Sequence, residues 1–259
     1  MAEGVAQHIS PARGFMAEHA HYDDDAGFWE RHADRLGGPV CDEGAAAGRV
    51  SLRLASRGHE VWAVDTDPEM LEVLVERAAG AGLSHLVHPV LGSMTDPLPV
   101  RDAGLVAIPM NTMQLLHSQP DQVTCLSHAA AALRAGGEMI FDLAVPYFEA
   151  MEDLVGLVLD TGHSVDEASG DLLMHTAVFT SVDAATGEVR MTLMIDRVHG
   201  DGATTSVTRD HHLHMYRPDE IPVIAALAGL EVLEVTGGFN GEPLHDDSER
   251  HVWRLGRPA

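Results

Sequence analysis

Apolar positions fall into two regimes along the chain. Through the first half, short apolar runs alternate with longer amphipathic stretches. Residues 15–36 carry apolar and aromatic side chains at helical spacing, with Phe28, Trp29 and Leu36 among them, and Gly37-Gly38-Pro39 ends the segment. Residues 1–14 show no clear period and read as a tail or cap. Residues 40–43 predict a short strand that runs into the small-residue turn Gly44-Ala45-Ala46-Ala47-Gly48. A helix over 49–57 stops at Gly58. Residues 61–64 predict a second strand with Asp65 as its last residue, and Thr66-Asp67-Pro68-Glu69 opens the next helix, with proline in its first turn. Further strands are predicted over 86–91, 104–109 and 139–143, with a helix over 119–133 closed by Gly136-Gly137. Short apolar strands separated by helices imply a parallel sheet covered on both faces.

After about residue 160 the period changes to two. Residues 172–182, 188–198 and 204–216 alternate apolar and polar positions, and Val189, Met191, Leu193 and Ile195 share one face. The breaks at 183–187 and 200–202 are hairpin-like. Three antiparallel strands are therefore expected, followed by a helix over 218–228 and strands over 231–236 and 251–255.

Composition narrows the functional classes. Among 259 residues, 40 are acidic and 16 basic, a formal charge of −24. So negative a body repels phosphate backbones and anionic lipid surfaces, so neither nucleic acid nor a membrane is an expected partner. Every basic residue is arginine, which excludes a lysine Schiff base and a P-loop lysine. Cys41 and Cys125 cannot form a disulfide framework. The first residues lack the layout of a signal peptide, and no apolar run reaches the ~18 residues of a membrane span. The expected location is a reducing cytoplasm.

The chemistry concentrates in the first βαβ unit. Small residues at the turn let a ligand approach the backbone, and the following helix offers free N–H groups. Asp65, 21 residues after Gly44, is placed to accept hydrogen bonds from ribose hydroxyls. These features specify a nucleoside-containing cofactor without separating NAD from S-adenosylmethionine.

The runs Asp42-Glu43-Gly44-Ala45-Ala46-Ala47-Gly48-Arg49, Leu54 to Val61 and Val64-Asp65-Thr66-Asp67-Pro68-Glu69-Met70-Leu71 resemble class I S-adenosylmethionine-dependent methyltransferases. So do Gly92-Ser93-Met94-Thr95-Asp96, Met110-Asn111-Thr112-Met113-Gln114-Leu115-Leu116, and Leu133-Arg134-Ala135-Gly136-Gly137 followed by Phe141-Asp142-Leu143. The tail, from Tyr216-Arg217-Pro218-Asp219-Glu220 through Gly237-Gly238-Phe239-Asn240-Gly241, resembles the bacterial small-molecule type. The resemblance covers roughly residues 20–257 and implies an α/β, Rossmann-like fold: a mostly parallel sheet with an inserted antiparallel sheet. It divides the chain into an N-terminal helical cap (1–36), a cofactor-binding core (37–160), an inserted sheet over the acceptor site (161–217) and a last helix and strands completing the core (218–259).

By the same resemblance the cofactor is S-adenosylmethionine. Gly44, Ala46 and Gly48 line its methionine end, Asp65 with Thr66 takes the ribose, Ser93 and Met94 flank the adenine, Asn111 faces the sulfonium or substrate, and Tyr22 closes over the cofactor. Two positions depart from the family: Ala46 replaces the middle glycine, and Ser93 stands where an acidic residue is usual. Strand alternation puts Asp210, His212, His214 and Tyr216 on one face. His212 and Tyr216 are thus candidate acceptor-contacting groups alongside Asn111 and Asp142, against the alternative of a polar outer face. His117 is a weaker candidate. The Asp23-Asp24-Asp25 run reads as a solvated helix start. No metal is expected. The implied reaction is direct in-line methyl transfer to nitrogen or oxygen of a small acceptor. An intramolecular cyclase releasing 5′-methylthioadenosine and a nonenzymatic binding protein remain as alternatives. The sequence leaves a homodimer open.

Overall fold

A computed structural model of the chain describes residues 22–166 and 169–258. The tail and the start of the expected N-terminal helical segment, residues 1–21, lie outside the described residues. The described chain divides into two compact units: one holds residues 23–146 and 213–259, the other includes residues 147–212.

In the first unit, helix α1 (Ala26–Leu36) precedes β1 (Val40–Glu43), α2 (Arg49–Ser56), β2 (Val61–Asp65), α3 (Pro68–Gly80), β3 (Val87–Leu91), β4 (Ala103–Ile108), a 3₁₀ turn (Thr112–Leu115), α4 (Gln119–Ala132) and β5 (Leu133–Ala144). Helix starts follow their capping residues. The Asp67 side chain accepts the Glu69 N–H, with Pro68 in the first turn of α3, and the Ser118 hydroxyl accepts the Asp121 N–H at the start of α4.

Downstream, α6 (Glu220–Leu227), β10 (Glu231–Thr236) and β11 (Arg250–Gly256) complete a sheet of order β10-β11-β5-β4-β1-β2-β3. Strands β1 to β5 pair in parallel, while β11 is antiparallel to both β5 and β10. Register explains the two apolar layers. Cys41, Val106 and Met139 lie side by side on one face, against Cys125, Leu126 and Ala129 of α4 and Ile221 and Ile224 of α6. Ala107 and Ile140 face the other layer, with Trp29 of α1, Leu54 of α2 and Leu74 of α3. The strand order reverses between β1 and β4, which opens a crevice at their carboxyl ends.

The second unit holds α5 (Phe148–Asp153) and a four-stranded sheet of β6 (Leu159–Val165), β7 (Leu172–Asp183), β8 (Glu188–Val198) and β9 (Thr204–His214), in that order, the last two residues of β9 belonging to the first unit. Leu173, His175, Ala177 and Phe179 pair with Arg197, Ile195, Leu193 and Met191, the face that the alternation predicts for β8. Leu173, Ala177 and Val189 are buried. The Arg197 guanidinium, also buried, is held by Asp166 and Asp171, each at 2.6 Å.

Several expectations need correction. The sheet has a fourth strand, β6, ahead of the three expected. Helix α4 passes directly into β5, six residues earlier than the expected start of that strand at 139. Leu133 pairs with Ala103 and Glu138 with Leu105, so the segment around Gly136-Gly137 is a register shift inside β5. A Cβ on Gly137 would lie 2.6 Å from the Ala103 carbonyl oxygen, which only glycine avoids. Strand β9 ends at His214, so Tyr216 is not part of the alternating face.

Candidate active site

The turn after β1 is built from three left-handed residues: Gly44 (φ +72°), Ala46 (φ +47°) and Gly48 (φ +83°). Each has its own reason. A Cβ on Gly44 would lie 2.3 Å from the Thr112 methyl carbon, and one on Gly48 would lie 2.2 Å from a Leu74 methyl carbon. The first glycine thus lets the β1 turn and the segment after β4 meet, and the third lets α2 start against α3. Ala46 accepts the left-handed conformation despite its Cβ, and its N–H donates to Asp65 Oδ2 at 2.8 Å. The other oxygen, Oδ1, accepts the Asp67 N–H at 2.9 Å. Asp65 therefore brackets the turn and the start of α3 with one carboxylate. Each oxygen keeps a second lone pair for a ligand. Thr66, between the two aspartates, is exposed.

At the end of β3, Gly92 donates its N–H to the Asp65 carbonyl at 3.0 Å, tying this loop to β2. The Ser93 N–H donates to Asp96 Oδ2 at 2.8 Å, and the Ser93 hydroxyl shares a 2.9 Å hydrogen bond with Thr95. Met94 is half-buried beside them.

The segment after β4 is strained. Met110 (φ +56°) and Asn111 (φ +60°) are consecutive non-glycine residues in the left-handed region. Asp142, buried at the end of β5, accepts the Met110 N–H at 2.8 Å and lies 3.4 Å from the Arg250 guanidinium. Burial lifts the Asp142 carboxyl to a pKa of about 6, against the Met110 hydrogen bond and the Arg250 charge that favour its ionised form. Asn111 Oδ1 is buried without a hydrogen-bond partner among the described residues.

Sequence reasoning missed a group of buried charges under these loops. Asp25 is fully buried, and its carboxylate receives the Arg49 guanidinium at 2.5 and 2.8 Å and the Trp29 indole N–H at 2.8 Å. The aspartate run is therefore not uniformly solvated: Asp23 and Asp24 are exposed, and Asp25 is not. The spacing of Asp25 to Trp29, one helical turn on the apolar face, is the signal that could have found it. Asp42 accepts the Ser51 hydroxyl at 2.5 Å, and burial lifts its pKa to about 6. Glu43 is fully buried, and neither carboxyl oxygen has a hydrogen-bond partner among the described residues. Burial first, and the neighbouring Asp42 charge second, push it up to about 8.

The remaining candidates disperse. Tyr216 is a core residue, fully buried, and its hydroxyl donates to the Met113 and Leu116 carbonyls at 3.1 and 3.3 Å. That commitment removes it from the acceptor-contacting set. His214 Nε2 lies 2.8 Å from Glu220 Oε2. His212 lies 3.4 Å from a Glu188 carboxylate oxygen, on the sheet face that also carries the Thr192–Asp210 hydrogen bond. Tyr22 is half-buried at the start of the described chain.

Residues 40–137 match a family of methyltransferase domains. The chain is 27% identical to a cypemycin N-terminal methyltransferase from a Streptomyces species, over 92% of this chain and 87% of that protein. Among solved structures, the CcbJ methyltransferase of Streptomyces caelestis superposes with a TM-score of 0.73 at 25% identity, covering 92% of this chain and 98% of the other. An S-adenosylmethionine-dependent methyltransferase of Clostridium acetobutylicum does so with a TM-score of 0.79 at 15% identity, covering 95% and 97%. A methyltransferase domain thus spans β1 to the register shift of β5, on a fold that the chain shares with these methyltransferases.

Proposed function

We propose that the protein transfers a methyl group to an amine nitrogen of a small-molecule or peptide acceptor made in a biosynthetic pathway. The observation that carries this reading is the likeness, along 92% of the chain, to an N-terminal methyltransferase acting on cypemycin.

The residues present fit S-adenosylmethionine. The left-handed turn at Gly44, Ala46 and Gly48 offers close backbone approach to the methionine end. Asp65, with its carboxylate at the strand end, would take the ribose hydroxyls, and the loop at Ser93 and Met94 would border the adenine. When bound, the cofactor supplies an activated methyl group on a sulfonium, so the protein's task is alignment and exclusion of water. Asn111 Oδ1 is an acceptor in want of a donor. An amine N–H held there leaves the nitrogen lone pair free for attack. Asp142 fixes the Met110 N–H and hence the backbone that carries Asn111.

Ala46, whose added methyl motivates the cyclase alternative, is accommodated in the turn with its N–H on Asp65, which favours plain methyl transfer. The formal charge of −24 suits a neutral or cationic acceptor and disfavours nucleic acid. No helix among the described residues is long and apolar enough to cross a membrane.

The test is to incubate the purified protein with S-adenosylmethionine, alone and with a panel of amines and matched alcohols, and to separate the nucleosides by chromatography. Amine-dependent S-adenosylhomocysteine with a methylated amine by mass spectrometry is expected. Enzyme-dependent 5′-methylthioadenosine without any acceptor overturns the reading.

A further inference from the structure

A second concave site lies in the first unit, between the N-terminal ends of α4 and α6. Its volume is about 280 Å³, and its walls include His117, Gln119, His214, Asp219, Glu220 and Val223. Both helices start at the carboxyl-terminal end of the parallel sheet, the end at which the Gly44–Gly48 turn and Asn111 also lie.

Part of the wall is held by hydrogen bonds within the protein. The Tyr216 hydroxyl and the Gln122 amide both donate to the Leu116 carbonyl, at 3.3 and 3.0 Å, and so fasten the backbone that presents His117. Glu220 accepts the Arg217 N–H at 2.8 Å and lies 2.8 Å from the imidazole of His214. That ring packs edge-on against Tyr216, with centroids 4.6 Å apart. Preorganised polar groups of this kind lose little on binding.

Charge decides the ligand class. Asp219 and Glu220 lie in the wall, which rejects an anion. Glu220 is already engaged by the Arg217 N–H and by His214, with the Arg217 guanidinium 4.0 Å away, so a cation gains less here than two unengaged carboxylates would give it. A purely apolar ligand would strip water from carboxylates, amides and imidazoles without replacing its hydrogen bonds. A neutral ring carrying several hydroxyls meets both demands: its O–H groups donate to the carboxylates, and its C–H face covers Val223. The volume is just below the roughly 300–1,000 Å³ of sites for drug-sized ligands, which allows one ring.

We infer that this pocket binds an uncharged polyhydroxylated ring, a monosaccharide-like part of the methyl acceptor. The site rests on the methyl-transfer reading for its role, but its occupancy can be read without turnover.

The experiment follows the histidine ring signals by NMR in protein saturated with S-adenosylhomocysteine. The probes are D-glucose and D-xylose as free sugars, their methyl glycosides as linked ones, and n-butylammonium and inorganic phosphate as charged controls. Saturable shifts of His117 and His214 are expected with the sugars or glycosides. A stronger response to the glycosides identifies a ring carried on a larger acceptor. Val223→Trp should weaken sugar binding at least tenfold by filling the pocket, with S-adenosylhomocysteine affinity and Tm unchanged, since Val223 is 54% exposed. Glu220→Gln should also weaken it. Absence of sugar-induced shifts, shifts produced only by n-butylammonium or phosphate, or sugar shifts that survive Val223→Trp overturn the assignment. Failure of the wild-type protein to bind S-adenosylhomocysteine counts instead against the methyl-transfer reading.

Discussion

Asp65 Oδ2 accepts the Ala46 N–H at 2.8 Å, so the residue proposed to take the ribose also holds the shape of the turn proposed to meet the methionine end. In that reading, cofactor recognition and turn geometry are joined in one carboxylate. Asp65→Ala should weaken S-adenosylhomocysteine binding by roughly 1.5–3 kcal/mol, the scale of hydrogen bonds to a charged group. It should also lower the Tm of the free protein. Calorimetry and thermal unfolding on the same preparation check both; unchanged affinity removes Asp65 from the site.

Ala46→Gly should stabilise the free protein. A left-handed residue with a Cβ costs roughly 1–2 kcal/mol, and the extra chain entropy of unfolded glycine returns about 0.5–1 of it. The expected gain is at most about 1.5 kcal/mol, with cofactor affinity kept or improved. Urea unfolding measures it, and a loss of stability would mean that the Ala46 methyl packs usefully.

Gly44→Ala should be far more damaging, because its Cβ meets the Thr112 methyl carbon at 2.3 Å and φ is +72°. A cost of roughly 2–4 kcal/mol is expected from strain and overpacking together. Thr112→Ser removes the colliding methyl and should recover about 1 kcal/mol in the Gly44→Ala background. A double-mutant cycle by chemical denaturation reads the coupling, and simple additivity denies the contact.

Glu43 should make stability fall as pH rises. Its folded pKa, near 8, is above its ordinary value of 4.5. From about pH 4.5 to 8 the unfolded chain therefore releases a proton that the folded chain keeps. The loss is absent below the lower value and complete above the upper. Glu43→Gln should flatten this slope and be more stable than the wild type by a few kcal/mol at pH 8, with little difference at pH 4.5. Stability curves of equal slope would show that Glu43 ionises freely in the folded protein.

The parallel half was legible because its signals are local. Short apolar strands, the glycine-rich turn and Pro68 after Asp67 each specify their element within a few residues, and 231–236 is the observed β10. Strand β6 was not legible, since it is largely polar and only partly buried, with no clean alternation. The register shift in β5 depends on Ala103, about thirty residues away, so Gly136-Gly137 looked like an ordinary helix stop. Tyr216 was misread for a related reason: a period of two was continued past His214, where the backbone leaves the sheet. At the site, the turn and Asp65 could be named from spacing. Asp25 and Glu43 could not, because burial of a charge is a tertiary fact, and composition favours the solvated reading for any acidic residue in so acidic a chain.

The Asp25–Arg49 pair joins the start of α1 to the turn after β1. Asp25 stands at the start of α1, and Arg49 is the first residue of α2, next to Gly48 of the turn. Opening either end strands a buried charge, which costs several kcal/mol. Fraying of α1 and loosening of the turn therefore become a single event. By reciprocity, a molecule that binds the ordered turn must suppress solvent exchange at the amides of α1, although it touches none of them.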